Sequence, residues 1–120
     1  MSYVRIYSDD SGESHFEDVA VGRAERSDGS DQWLTSAPYP VADMRFRKVI
    51  SEYPGEPHVA PRRQFIILLT GLAEIEVSDG EIRQFGPGSV LLVEDVVGKG
   101  HTTRRIGTAP RETIFLPIAN

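Results

Sequence analysis

Cysteine is absent from this sequence, and so are long apolar runs and any excess of basic residues. Without cysteine, neither a disulfide framework nor a thiolate metal site can form. The longest apolar runs, such as residues 65–69, are far shorter than the roughly 20 residues that cross a bilayer as a helix. The first residues show no signal-peptide pattern, so we expect a cytoplasmic protein with no membrane partner.

The charge balance is acidic, with 13 Lys and Arg against 18 Asp and Glu and a formal net charge of -5. Because phosphate backbones bind basic surfaces, this balance argues against nucleic acid as a partner. Solubility is the simplest use of the negative charge. The chain has 120 residues, of which 39% are hydrophobic and 26% charged, so we expect one soluble globular domain.

Helical periodicity is also missing, because no stretch repeats its apolar residues with a helical period. Short β-rich segments alternate with turn signals instead, which is typical of an all-β sandwich or barrel of about nine strands. The predicted strands are residues 3–7, 16–21, 44–50, 62–70, 73–77, 81–85, 89–94, 102–106 and 112–118. Residues 22–40 are polar and predict an irregular loop that wraps the body, with Trp33 and Tyr39 as its anchors.

The segment before and within the 62–70 strand has two distinct faces. Strict alternation places six residues on one face: His58, Ala60, Arg62, Gln64, Ile66 and Leu68. Phe65, Ile67 and Leu69 then lie on the other face. A strand that is apolar on both faces must be covered on both. One face can line the interior, and either the first forty residues or a partner subunit can cover the other; we expect a homodimer.

Three residues form the first candidate site: His58, Gln64 and His101. Imidazole is the commonest protein ligand for transition metals, and a Gln oxygen can complete a mixed nitrogen and oxygen set. His58 and Gln64 share a strand face, and His101 follows a Gly-Lys-Gly turn at the start of a later strand. The alternative is a hydrogen-bonded pair of histidines in a pocket or core.

Several charged residues have a functional and a structural interpretation. Arg62 can hold a carboxylate or phosphate, or it can pair with Glu94 or Asp95 at the rim. The Glu94-Asp95 pair can orient His101 or act as a base, or it can simply end a strand by bonding backbone N–H groups. His15 can reach a pocket mouth or lie on the surface, and Lys99 is either a pocket lysine or an exposed turn residue.

The spacing of these residues resembles the first motif of the cupin superfamily, in particular small single-domain cupins. Gly55 opens the motif, His58 matches its first histidine and Gly71 its closing glycine. Ala60 stands in place of its second histidine, and Gln64 in place of its glutamate. The Gly80 turn, the Phe-Gly-Pro-Gly run at 85–88 and His101 are similar to the second motif, with a longer spacer before the histidine.

The resemblance implies an all-β, antiparallel jelly-roll barrel or sandwich with an interior pocket, commonly dimeric. Residues 1–120 would form a single cupin domain, with N-terminal strands and a wrapping loop in 1–42 and the barrel core in 43–118. Metal-binding cupins use three histidines and a glutamate, so Ala60 and Gln64 leave this ligand set incomplete. A divalent transition metal held by His58, Gln64 and His101 is one alternative, and a metal-free pocket is the other.

Three functions remain open on this basis. The first is an isomerase, lyase or cyclase acting on a small polar or carboxylated molecule. In that enzyme His58 and His101 would be acid/base residues or metal ligands, Gln64 would orient the substrate or the metal, and Arg62 would hold an anionic group. Ile66, Leu68 and Phe46 would supply the apolar lining. A metal-dependent dioxygenase is a variant of this enzyme. The second function is a ligand-binding or sensing module without turnover, and the third is a structural dimerisation domain with an incidental pocket.

Overall fold

A computed structural model describes residues 1–27, 32–51 and 55–119, and within these ranges the chain forms strands and no helix. Every segment predicted to be a strand overlaps an observed one. The strands are β1 (Ser2–Ser8), β2 (Ser14–Ala20), β3 (Ala24–Ser27), β4 (Gln32–Thr35), β5 (Arg45–Val49), β6 (Gln64–Thr70), β7 (Leu72–Val77), β8 (Ile82–Phe85), β9 (Val90–Val93), β10 (His101–Ile106) and β11 (Arg111–Pro117). In the described ranges, no helix is long and apolar enough to cross a membrane.

Two sheets make up the body of the molecule. One has six strands in the order β2-β1-β9-β6-β11-β5, and the other has three in the order β10-β7-β8. The strands described here form open sheets and not a closed barrel, so the all-β prediction is confirmed in the form of a sandwich-like arrangement. β7 and β8 form an antiparallel hairpin that turns at Gly80, whose φ of 98° suits glycine.

One strand pair departs from the antiparallel expectation. β1 runs parallel to β9, with Val4 opposite Leu91 and Ile6 opposite Val93. Ile6 is fully buried in the core, beside Phe16 and Val93. The first strand is therefore an integral part of the main sheet, because its inward side chains belong to the same hydrophobic cluster as those of β6 and β9.

The prediction of an irregular loop for residues 22–40 is wrong in its middle part. β3 and β4 pair antiparallel, with Ala24 opposite Thr35, and residues 28–31 between them lie outside the described residues. Both strands are short and mostly polar, so they lack the apolar alternation that signals a strand. Trp33 does not anchor this segment, being 43% exposed, whereas Tyr39 packs edge-on against Tyr3 and Phe65.

The alternation predicted for β6 matches the packing. Gln64, Ile66 and Leu68 face the three-stranded sheet, where Leu68 is only 2% exposed and joins a core with Ala73 and Ile75. Phe65 and Ile67 face outward. The rings of Tyr3 and Tyr39 cover Phe65, which supports a second layer built partly from the N-terminal residues.

Candidate functional site

A cavity of about 440 Å³ lies between the two sheets. All six residues predicted to share one strand face line it: His58, Ala60, Arg62, Gln64, Ile66 and Leu68. His101 and Thr103 contribute from β10, and Leu91 and Val93 from β9. One wall is therefore apolar, and polar groups lie toward the ends, as in a site for a small molecule.

His58 and His101 lie side by side at one end of the cavity. Their backbones form an isolated antiparallel bridge, in which each N–H donates to the other carbonyl at 2.9 Å. The ring centroids are 4.8 Å apart with the planes tilted by 54°. His58 is exposed and His101 is 7% exposed. The two histidines predicted from the sequence thus meet in space.

Gly100 makes this close approach sterically feasible. Its φ is 73°, and a Cβ built on it would lie 2.2 Å from the carbonyl oxygen of His58. Ser14 donates its hydroxyl hydrogen to the Gly100 carbonyl at 2.6 Å and is itself fully buried. The Gly-Lys-Gly-His segment is therefore explained by packing, because only glycine at position 100 lets the two strand ends touch.

The side chain of Asp95 is hydrogen-bonded to the imidazole of His101. Nδ1 of His101 donates to Oδ2 of Asp95 at 2.5 Å, since a carboxylate can only accept. Asp95 is completely buried, and its other oxygen, Oδ1, has no hydrogen-bond partner among the described residues. The interpretation of Asp95 as a simple strand-end residue is wrong: its side chain orients His101 and leaves Nε2 as the ring nitrogen available to a ligand.

Glu94 points away from the cavity and has a structural role. Burial would raise the pKa of Glu94, but hydrogen bonds from Arg5, at 2.6 Å, and from Arg63 outweigh burial and lower that pKa. The carboxylate thereby ties β1 to the segment before β6. Adjacent acids at the end of one strand have different roles because alternation directs them to opposite faces.

Arginines dominate the charge of the cavity. Arg45, Arg47, Arg62 and Arg111 all line it, and none of its described lining residues is Asp, Glu or Lys. Arg62 lies 3.7 Å from Asp43, which contradicts the predicted pairing with Glu94 or Asp95, and Arg45 lies 3.6 Å from the same carboxylate. Arg47 stacks over the Phe115 ring at 4.0 Å, whereas Arg111 is 7% exposed.

Sequence reasoning missed three of these four arginines and misplaced one apolar residue. Phe46, predicted to line the pocket, is 74% exposed on the outer face, because β5 directs its alternate positions Arg45 and Arg47 inward. The period-two pattern was visible, but the usual rule that charged side chains face solvent assigns the opposite orientation. For the same reason the sequence did not predict that Arg111, at the start of β11, lines the cavity.

The remaining candidates lie outside the cavity. His15 sits between Asp9 and Asp79, with 2.7 Å contacts to each, and these hydrogen bonds raise its pKa, Asp9 contributing most. Lys99 is exposed and donates to Glu13 at 2.6 Å. The surface interpretation holds for both residues.

The residues present are a poor fit to a divalent metal. No group of three or more His, Cys, Asp or Glu side chains in the described part of the chain is arranged to hold one. His58, His101 and the neutral Gln64 would supply no negative charge, while four guanidinium groups line the same space. Because a bound cation needs compensating charge, we derive no catalytic step through a metal.

The sequence matches no family model, and no curated protein is significantly similar to it. The argument for function therefore depends on the geometry of the cavity.

Proposed function

We propose that this chain is a small-molecule enzyme of the isomerase, lyase or cyclase type, built on a cupin jelly roll. The observation that carries the proposal is the buried contact between Asp95 and Nδ1 of His101 at the wall of the 440 Å³ cavity. A carboxylate bonded to one imidazole nitrogen orients the ring and stabilises the imidazolium that forms when the other nitrogen takes a proton. A buried carboxylate is costly for stability unless it is paired, and here the imidazole of His101 supplies the partner.

In this mechanism Nε2 of His101 removes a proton from the substrate and returns it. His58, whose Nδ1 donates to the carbonyl of Glu56 at 3.2 Å, offers its own Nε2 across the same space and serves as the partner acid or base. Gln64 is 7% exposed and lines the same end, so its amide positions a carbonyl or hydroxyl of the substrate. Arg62 holds an anionic group, and Ile66 and Leu68 exclude water.

Turnover would test this proposal directly. The protein would be incubated with mixtures of small carboxylic acids, and product formation followed by proton NMR. Replacing His101→Gln should lower the rate of any activity by about 10²–10⁴-fold, the usual contribution of a general acid or base. Ligand binding by the variant should persist. A rate unchanged in His101→Gln would overturn the assignment.

A ligand-binding or sensing role without turnover is the second candidate, and the arginine lining favours it, because a guanidinium group can bind an anion without any reaction. A saturable rise in melting temperature with no product would support this role. A metal-dependent dioxygenase is the third. Stoichiometric metal in protein purified without chelators would favour it over both other functions.

We also propose that the protein is a homodimer formed through the outer face of the six-stranded sheet. An apolar row crosses four strands there: Phe46, Ile114, Ile67 and Val90 are neighbours in register. The N-terminal layer covers Phe65 but leaves Phe46 and Leu69 74% and 46% exposed. A second copy of the same face offers a matching apolar surface, which is the usual arrangement in symmetric dimers.

A further inference from the structure

The side-chain amide of Gln64 is buried and has no hydrogen-bond partner among the described residues. Gln64 is the first residue of β6, is 7% exposed and lines the cavity. Buried polar side chains in proteins are as a rule hydrogen-bonded, to the protein or to something bound to it. An unpaired amide that faces a cavity therefore marks the place where a polar group of a ligand is held.

The wall around Gln64 is apolar. Val93 and Pro117 lie directly opposite Gln64 on the two neighbouring strands, and both line the cavity. Ala60, which is buried, lines it on the same face as Gln64. The side chains of these three neighbours neither donate nor accept hydrogen bonds. The hydrogen bonds of the Gln64 amide are therefore left for a molecule inside the cavity.

A carboxamide side chain presents two different groups side by side. Oε1 of Gln64 accepts hydrogen bonds and Nε2 donates them, and both atoms lie in one plane. A carboxylate can only accept, so it would pair with Nε2 and leave Oε1 facing a second negative oxygen. A carboxamide or a lactam has an N–H and a C=O on the same edge, so it can form two hydrogen bonds with Gln64 at once.

The charge at this end of the cavity also favours a neutral group. Asp95 lies two residues beyond Val93, which is directly opposite Gln64. The Asp95 carboxylate is completely buried and accepts from His101. An anion beside Gln64 would be repelled by this carboxylate in a region where water screens charge poorly. Arg62 is half exposed on the cavity lining, so an anionic group is more stable there.

We propose that the ligand of this cavity carries a carboxamide or lactam at the end that faces Gln64, and that Gln64 determines this specificity. The inference rests on the proposed function for the shared cavity, and it adds the ligand class: a small molecule with a neutral amide at Gln64 and an anionic group at Arg62. These two residues are two positions apart in the chain, at most about 7 Å between backbones, so the two groups of the ligand are joined by a short spacer.

Three molecules of equal size test the inference: succinamate, levulinate and succinate. Each has a carboxylate for Arg62, and the other end is a carboxamide, a methyl ketone or a second carboxylate. Binding would be measured by isothermal titration calorimetry at constant ionic strength. The set would be repeated with glutaramate, 5-oxohexanoate and glutarate, which have one more methylene group.

The amide of at least one set should bind about tenfold or more tightly than its matched ketone and diacid. The physical reason is that the ketone and the diacid offer no N–H to Oε1 of Gln64, which then stays buried without a partner. Equal affinities within both sets, tighter binding of the diacids, or no binding by either amide would overturn the inference.

Gln64→Met assigns the preference to one side chain, because methionine has a similar length and no amide. The advantage of the amide over the ketone should disappear in this variant. Gln84→Met is the matched control, since Gln84 is exposed on β8 and lies outside the cavity, and it should keep the full preference. A preference that persists in Gln64→Met would contradict the role of Gln64. The wild-type comparison decides the ligand class even if Gln64→Met does not fold.

Turnover assays on the wild type and on His101→Gln separate this inference from the catalytic proposal. A preference for amides that depends on Gln64 supports the ligand class even if no turnover is detected with any of these molecules. Turnover that depends on His101 but proceeds equally with amide and ketone substrates would support the catalytic proposal and overturn the ligand class.

Discussion

At the scale of single residues, Asp95 is the most informative side chain in the protein. It is fully buried, it has one carboxylate oxygen without a partner in the described structure, and its other oxygen accepts from His101. Buried acceptors without partners usually cost about 1–3 kcal/mol. The contact with His101 offsets part of this cost, and it fixes the orientation of the imidazole.

Asp95→Asn tests the role of this contact. An amide no longer fixes the proton of His101 on Nδ1, so the population of the Nε2–H tautomer should increase, as measured from the ¹⁵N shifts of the ring. Any turnover should fall by about 10²-fold or more, while the free energy of unfolding should stay the same or rise by about 1 kcal/mol.

The control for this change is Asp43→Asn, at an exposed carboxylate of the cavity rim. It should leave the tautomer of His101 unchanged. A large loss of stability in Asp95→Asn with an unaltered tautomer would show that Asp95 is a structural residue only.

At the scale of elements, the turns determine how the two sheets meet. The turn after β1 and the turn after β7 are joined by His15, which contacts Asp9 and Asp79. These contacts raise the pKa of His15, chiefly through Asp9. The pKa of Asp9 is lowered mainly by the Ser11 side chain and that of Asp79 mainly by the Glu81 backbone N–H, and His15 lowers both further. The protonated imidazole therefore links two hairpins that have no strand pairing with each other.

The stability from this link should depend on pH. A pKa that is higher in the folded state means that folding favours the protonated form. The contribution is therefore complete below the unfolded pKa of about 6.5 and is lost as the pH rises through the higher folded value. Urea denaturation of the wild type and of His15→Gln should differ most near pH 5.5 and converge above the folded pKa. A difference independent of pH would contradict this role.

Gly100 connects the elements at the functional site. Gly100→Ala would place a methyl group 2.2 Å from the His58 carbonyl, so the bridge between His58 and His101 must open. The control is Gly107→Ala, which has a similar φ of 75° but no atom within 4 Å of the added Cβ. In the control, the free energy of unfolding should fall by only about 1–2 kcal/mol, the cost of a left-handed backbone conformation for alanine.

Chemical denaturation should therefore show a larger loss of unfolding free energy for Gly100→Ala than for Gly107→Ala. Equal losses in the two variants would mean that the neighbouring strand moves freely and that the bridge does not position the histidines.

At the scale of the whole molecule, the outer face of the main sheet predicts association. Phe46→Glu places a charge at the edge-strand end of the apolar row, next to Ile114 in register. If this face joins two copies, light scattering should show a dimer for the wild type and a monomer for the variant. Ile82→Glu makes the same change at an exposed apolar residue of the three-stranded sheet and should leave the dimer intact. A wild-type monomer at micromolar concentration would overturn the proposal.

Some features of the whole molecule follow from the sequence alone, and others depend on the tertiary structure. The positions of the body strands, the inward face from His58 to Leu68 and the candidacy of both histidines follow from the sequence alone, because apolar alternation and turn residues are local signals. Local signals failed at two places. The β3–β4 hairpin has no apolar pattern, and the inward arginines of β5 contradict the rule that charged side chains face solvent.

Only the tertiary structure decided the rest. His58 and His101 are 43 positions apart in the chain, and their bridge depends on a strand order that brings residues near 58 beside β10. Asp95 becomes a partner of His101 because the β9–β10 connection turns back over Gly100, and the four arginines share one cavity because β5 and β11 pair at its wall. Sequence pattern specifies which face a residue takes, but the partners of that face are set by long-range pairing, which leaves no local trace.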